Sequence, residues 1–123
     1  LIPLSLAALA DEAVEREILA AATSGPGRLE ISAGAAGSLD FLAAAREDDL
    51  RSVTFRAIYP ASRWRGTPAE ALIALGALTE RTTFFRGTVR DIARAYPRHV
   101  NVSVGVALAG LGLDATRAEL AAD

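Results

Sequence analysis

Apolar residues change their period several times along this chain, and each change marks an element. Leu1–Ser5 is an apolar run too short for a helix and reads as a short buried strand. Behind Asp11, a residue able to N-cap, Ala13, Val14, Ile18, Leu19 and Ala22 recur at helical spacing, which predicts an amphipathic helix over 11–23. Gly25-Pro26-Gly27 stops it. Leu29–Ile31 alternates apolar and polar and reads as a strand. Ala33–Gly37 is small and glycine-bearing, so the backbone can approach another group closely there. Ser38 is placed to cap a helix over 39–46, with Leu39, Leu42, Ala43 and Ala45 available to its apolar face.

Leu50–Tyr59 carries the clearest strand pattern. Val53, Phe55, Ala57 and Tyr59 point one way, and Ser52, Thr54, Arg56 and Ile58 the other. A loop over Pro60–Pro68 holds Arg63, Trp64 and Arg65, with Trp64 expected to be half-buried. Pro68 suits the first turn of a helix reaching Leu78. Arg81–Arg86 favours β structure, and Gly87 punctuates it. Val89, Ile92, Ala93 and Tyr96 put a helix over Thr88–Tyr96, and Pro97 can open another. Asn101–Ala109 fits a buried strand or a buried helix. Ala and Leu in its second half, with Gly110 where a terminating residue belongs, favour the helix. Thr116–Ala121 reads as a final strand. The expected fold class is α/β, α+β-like, with a mixed sheet and helices packed against it in a single domain over 1–123. Val53, Phe55, Ile92, Val102, Val104 and Leu108 are the expected core.

Composition narrows the chemistry. The chain has 123 residues, 13 basic and 15 acidic side chains, one His, no Cys and a net charge of −2. Every basic residue is Arg, and 27 residues are Ala, so much of the apolar content is small. Without Cys, this chain holds no disulfide, thiolate nucleophile or Cys-ligated zinc. Without Lys it forms no Schiff base and carries no P-loop. The mild acidity and scattered arginines give no footprint for nucleic acid. Leu1–Ala10 lacks a basic leader and is too short to cross a bilayer, so membrane contact is not expected; no metal is expected either, and the expected location is cytoplasmic. The missing initiator Met suggests a processed chain or a piece of something longer.

Several short motifs invite functional readings. Gly110-Leu111-Gly112-Leu113-Asp114-Ala115 matches G-x-G-x-x-A, but the acidic residue that a dinucleotide site needs about 20 positions later has no place here, so it reads as a helix stop and turn. Pro26 removes a donor from Gly25-Pro26-Gly27, which favours a plain turn over a phosphate loop. Glu47-Asp48-Asp49 reads as a solvated helix end. Arg63-Trp64-Arg65 reads as a surface loop, with anion binding the weaker alternative. His99 and Asn101 flank Val100 just after Pro97, near a helix start. They fit either a carboxylate-holding site with an acid/base group or a capping Asn beside an exposed His.

Taken in order, several segments resemble the L-aspartate dehydrogenase family. Pro97-Arg98-His99-Val100-Asn101-Val102 is similar to its P-x-N-x-N-V, and Ala107–Asp114 to its helix and G-x-G/D turn. Ser5–Asp11 is similar to S-x-G-A-L-x-D, Ala33–Asp40 to S-G-A-x-G-G-x-D, and Phe85–Thr88 with Tyr96-Pro97 to F-x-G-[ST] … F-P. The resemblance implies an oxidoreductase interconverting an amino acid with a 2-oxo acid and ammonia, using NAD or NADP. It implies a substrate domain whose sheet supports a homodimer, with a Rossmann domain preceding it. Ala33, Gly34 and Ala35 would then line the cofactor cleft, and His99 and Asn101 would contact a small carboxylate or carbonyl ligand.

The departures shape the expectations. Ala33 replaces a family serine, leaving Ser32 beside it as a substrate-binding candidate. Ala57-Ile58-Tyr59-Pro60 stands where the family has T-R-K-P, so a paired Arg and Lys are gone, which points away from aspartate itself. Arg56 is the expected replacement cation. His99 stands for the first Asn of N-x-N, and a family N-x-H segment would fall beyond Asp123. Three functions follow. The first is a diverged dehydrogenase domain. The second is a cofactor-free enzyme or binding domain using His99 as catalytic acid/base with Asn101 and Tyr59. The third is a non-catalytic dimerising domain.

Overall fold

The computed structural model describes residues 2–3, 5–31 and 36–123. Five helices, α1 (Glu12–Ser24), α2 (Leu39–Arg46), α3 (Ala69–Leu72), α4 (Val89–Ala95) and α5 (Asn101–Ala109), accompany strands β1 (Thr54–Tyr59), β2 (Thr82–Thr88) and β3 (Arg117–Ala122). Short 3₁₀ turns occupy Ala7–Ala10, Ala61–Trp64 and Pro97–His99. Two helix starts are built as their sequences dictate, whereas Ser38 precedes α2 without a side-chain cap bond. The Asp11 carboxylate accepts from Ala13 N at 2.8 Å and Val14 N at 3.2 Å. Thr88 and Asp91 form a reciprocal capping box at the start of α4.

The sheet order is β1-β3-β2, with β1 parallel to β3 and β2 antiparallel to it. This mixed sheet with helices is the expected class. Register places Arg56 and Arg86 on either side of Glu119. All three lie on the outer face, where Arg56 Nε donates to Glu119 at 2.7 Å. The inner face carries Ala57, Ala118, Leu120 and Ala122, which share one buried core with Val89, Ile92 and Ala93 of α4 and Val104 and Ala107 of α5. Small side chains let helices and sheet approach closely. Volume is concentrated in Trp64, which is 0% exposed.

The β1 alternation is observed: Val53 and Ala57 are buried, Phe55 and Tyr59 half-buried, and their neighbours exposed. Val53, Ile92 and Val104 are core, but Phe55, Val102 and Leu108 are only half-buried. Trp64, expected to be half-buried, lies wholly inside.

Other expectations fail for identifiable reasons. In the proposed first strand, Ile2, Pro3 and Ser5 pair with no strand, and Leu1 and Leu4 lie outside the described residues. Leu6 N instead donates to the Asn101 side chain. Leu29–Ile31 is irregular, because among the described residues no free edge is paired with it. The helix expected to reach Leu78 stops at Leu72, and Ile73 turns extended at φ −143°, ψ 150°. That switch lets Ile73, Leu75 and Leu78 all reach the core while Ala74 and Gly76 stay exposed, a burial pattern no single helix face could give. Gly110 ends α5 as expected, but the positive φ belongs to Gly112, at 85°, whose N–H returns to the Ala107 carbonyl at 2.7 Å. The apolar side of α1 is only partly covered, with Ile18 half-buried and Val14 and Leu19 exposed.

Candidate functional site

The chain leaves β1 at Tyr59 and passes through Pro60 into the turn Ala61–Trp64, which drives the indole inward and leaves Arg63 outside. Trp64 Nε1 donates to the Ala121 carbonyl of β3 at 3.0 Å, so the buried N–H is satisfied. Its ring lies 4.9 Å from Phe84, 5.5 Å from Tyr59, 5.9 Å from Tyr96 and 5.3 Å from the His99 imidazole, centroid to centroid. Pro97 separates α4 from α5 with one tight turn, closed by His99 N donating to the Tyr96 carbonyl at 2.9 Å. That turn sets His99 against the indole.

An open cleft of about 470 Å³ lies at this junction. Ser5, Tyr59, Arg63, Arg98, His99 and Asn101 supply its polar lining, and Pro97, Val100 and Val102 its apolar wall. A second cavity of about 230 Å³, bounded by Gly66, Thr67, Pro68 and Tyr96, shares Arg98 and His99 with it. The Tyr96 hydroxyl is buried without a hydrogen-bond partner among the described residues, and burial raises its pKa.

The lining of the main cleft holds two guanidinium groups and no carboxylate. The Arg63 guanidinium carbon sits 4.9 Å from the Tyr59 ring centroid, a cation–π placement. Burial, followed by the fields of Arg63 and Arg98, holds His99 below the ordinary imidazole range. A neutral imidazole offers one donor and one acceptor, so it can hydrogen-bond a carbonyl or take up a proton.

The cleft rim is pinned from two sides. Asn101 Oδ1 accepts from Leu6 N at 2.9 Å, fixing the backbone beside Ser5. Directly after Leu6, the turn Ala7–Ala10 is clamped by Arg90. Its Nη1 donates to the Ala10 carbonyl at 3.1 Å and the Leu9 carbonyl at 3.3 Å. Its Nη2 donates to Glu15 at 2.6 Å, and Nε with Nη2 holds Asp114 bidentately at 2.7 and 2.8 Å.

The structure therefore gathers His99, Asn101 and Tyr59, three of the sequence-derived candidates. Arg56 does not join them: it alternates to the outer sheet face, away from Tyr59, and is engaged by Glu119. Ser32, Ala33, Gly34 and Ala35 lie outside the described residues. Arg63, for which anion binding was the weaker reading from sequence, lines the cleft, and so does Arg98, which sequence reasoning missed. The available signals were a cation four positions after Tyr59 and another beside His99. It also missed Arg90, whose only signal was an arginine between Val89 and Ala93 on a buried helix face.

Comparison with known proteins fits this geometry to a family. Residues 40–123 match the model described as aspartate dehydrogenase, C-terminal. This chain belongs to the aspartate dehydrogenase C-terminal family. An L-aspartate dehydrogenase of Cupriavidus necator is 47% identical over 119 residues, covering 97% of this chain and 45% of that protein. One from Ruegeria pomeroyi is 50% identical, covering 97% and 43%. The crystal structure of aspartate dehydrogenase from Thermotoga maritima superposes with a TM-score of 0.78 at 25% identity, covering 99% of this chain and 47% of that one. The chain thus spans about half the length of these aspartate dehydrogenase relatives.

Aspartate dehydrogenases imply a nicotinamide cofactor, whose pyrophosphate needs a glycine-rich cradle. The Gly110-Leu111-Gly112 turn does not fit. It runs from α5 toward β3, whereas a pyrophosphate turn runs from strand into helix. Its Asp114 is also committed to Arg90. No group of His, Cys, Asp and Glu able to hold a metal occurs among the described residues, and none of their helices is long and apolar enough to cross a membrane.

Proposed function

We propose that this chain is the substrate-side domain of an NAD(P)-dependent aspartate dehydrogenase-like enzyme acting on an amino acid and its 2-oxo acid. The observation that carries this reading is the convergence of His99, Asn101 and Tyr59 on one cleft with a positive lining. NAD or NADP, bound by the full-length enzyme, would supply the hydride chemistry. The residues of this chain orient the substrate. The arginines attract its carboxylate. Neutral His99 hydrogen-bonds the carbonyl or takes a proton from the amine. Asn101 keeps the Ser5–Leu6 rim in place through its bond to Leu6 N. The outer sheet face with Arg56, Glu119 and Arg86 is the surface a second copy would use, which light scattering of the full-length protein tests directly.

The functional test is NAD(P)H oxidation by the full-length protein with 2-oxo acids and ammonia, compared with His99→Asn. The variant carries the amide that the family has at this position, so it keeps a hydrogen-bond partner for the substrate but loses the titrating group. Activity that needs the neutral imidazole rises with pH through the depressed His99 pKa, so the wild-type acid limb falls below pH 6.5. That limb is expected to vanish in the variant. Absence of turnover with every 2-oxo acid would reject the oxidoreductase reading, and an unchanged limb in His99→Asn would reject the histidine's role.

A further inference from the structure

The cavity of about 230 Å³ lined by Gly66–Pro68 and the turn Tyr96–His99 has no part in the chemistry of the main cleft as described so far. Its polar and charged side chains are Thr67, Tyr96, Arg98 and His99. Thr67 is committed, since its hydroxyl donates to the Trp64 carbonyl at 2.6 Å and accepts from Ala69 N at 3.3 Å. Arg98 offers donors only. Tyr96 and His99 remain. Tyr96 is 3% exposed, and its hydroxyl is buried with no hydrogen-bond partner among the described residues. A hydroxyl taken out of water in this way calls for a replacement partner. Burial raises its pKa, so at neutral pH it stays a phenol that both donates and accepts. Neither ring nitrogen of His99 is hydrogen-bonded by another described residue.

Both rings rest on one indole. Trp64 meets Tyr96 edge-on at 5.9 Å and His99 at 5.3 Å with 35° between the planes. Trp64 is wholly buried and anchored to β3, so the two rings keep a fixed relation to each other. A bridging water needs polar partners and about 30 Å³ of space, and the cavity supplies both. We propose that Tyr96 is a positioning residue for His99: its hydroxyl, bridged by water held in this cavity, takes up the imidazole N–H and so keeps the proton-accepting nitrogen toward the main cleft. A neutral imidazole carries its proton on one nitrogen, and the partner of that nitrogen decides which. The His99 ring lines both cavities, so an N–H fixed toward the smaller one leaves an acceptor for the substrate in the larger. The charged and titratable groups around the ring are Arg63 from the turn after β1, Arg98 from its own turn, and the hydroxyls of Tyr59 and Tyr96. Neither arginine can accept an N–H. Tyr59 lines the main cleft only, which leaves Tyr96 as the acceptor on the other side. The effect on turnover rests on the dehydrogenase reading; the tautomer of His99 does not.

The test uses Tyr96→Phe in the full-length protein. It removes the hydroxyl and keeps the ring against Trp64 and Phe85, and thermal melts confirm folding. Ring-nitrogen NMR shifts, read well above the His99 pKa, report the tautomer directly; the His99 signals are those that vanish in His99→Asn. Wild type is expected to hold one tautomer at about nine-tenths, falling to about one half in Tyr96→Phe. Loss of a partner for the imidazolium N–H also moves the acid limb of activity to lower pH. Above that limb, kcat/KM should fall in proportion to the productive tautomer. An even mixture of tautomers in wild type would overturn the proposal, whatever the variant does. An unchanged tautomer ratio in folded Tyr96→Phe would overturn it too, leaving the hydroxyl merely buried. A tautomer shift in a protein that turns over no 2-oxo acid keeps the positioning role and removes the dehydrogenase reading. Turnover with an unchanged tautomer ratio does the reverse.

Discussion

Arg90 offers the sharpest test of how the cleft rim is held. It is 5% exposed and engages two carbonyls and two carboxylates. Arg90→Met keeps an unbranched stem of similar reach but removes every donor. The bonds to Leu9 and Ala10 carbonyls are worth about 1 kcal/mol each, and the charge-assisted bond to Glu15 about 1.5–3 kcal/mol. The Asp114 side chain is 71% exposed and rehydrates when released, so its pair adds only about 0–1 kcal/mol. Breaking one side of a buried pair costs about 3–5 kcal/mol in general. Glu15, whose side chain is only 16% exposed, keeps most of that penalty. The expected loss is about 4 kcal/mol by urea denaturation, accompanied by faster amide exchange around Ala7–Asp11. Arg90→Lys should recover only part, because an ammonium cannot reproduce the bidentate fork. A loss under about 1 kcal/mol, or unchanged exchange in that turn, would refute the clamp.

The capping box of α4 should impose an acid dependence. Thr88 donates to Asp91 from both backbone N and hydroxyl, holding that carboxyl below its ordinary range. This stabilisation is fully present above the unfolded carboxylate pKa, near 3.8, and is lost as pH falls through the lower folded value. Asp91→Asn should therefore flatten the melting curve's dependence on pH below about 4 and cost about 1 kcal/mol at pH 7; an unchanged acid slope would contradict it. Phe55→Ala should cost about 2 kcal/mol in denaturation, less than the roughly 3–5 kcal/mol of a fully buried phenylalanine, because this ring is half-buried. A cost near 5 kcal/mol would mean that its outer half is covered in solution.

The elements that could be read from sequence are those whose burial repeats locally. Val53, Phe55, Ala57 and Tyr59 fix the face of β1 by alternation alone, and Thr88 with Asp91 fixes the start of α4. Elements that depend on a distant partner were not legible. Leu29–Ile31 alternates well enough for a strand, but a strand needs an edge to pair with, and local pattern does not carry that information. Ala69–Leu78 has helical propensity, yet Ile73, Leu75 and Leu78 all pack on the core, and the backbone yields to that burial. The site divides the same way. His99 and Asn101 stand out because Pro97 precedes them and a helix follows. Arg63 lies in a loop whose direction is set by where Trp64 finds its acceptor on β3, 57 positions away in sequence.

The location of the cleft follows from topology. β1 and β3 are parallel, so their carboxyl ends, Tyr59 and Ala122, lie side by side. In open α/β sheets that end is where loops diverge and leave room for a ligand. Here the loop after β1 folds back at once: Ala61 N donates to the Asp123 carbonyl at 3.1 Å and Trp64 to Ala121 at 3.0 Å. The indole plugs the end of the sheet, where alanines dominate the inner face and leave space for it. Its far side becomes the surface on which the His99 ring rests, 5.3 Å away. A single large side chain in an alanine-rich core thus closes the sheet and aligns the imidazole. The residue before it, held outside by the same turn, is the arginine that faces the cleft.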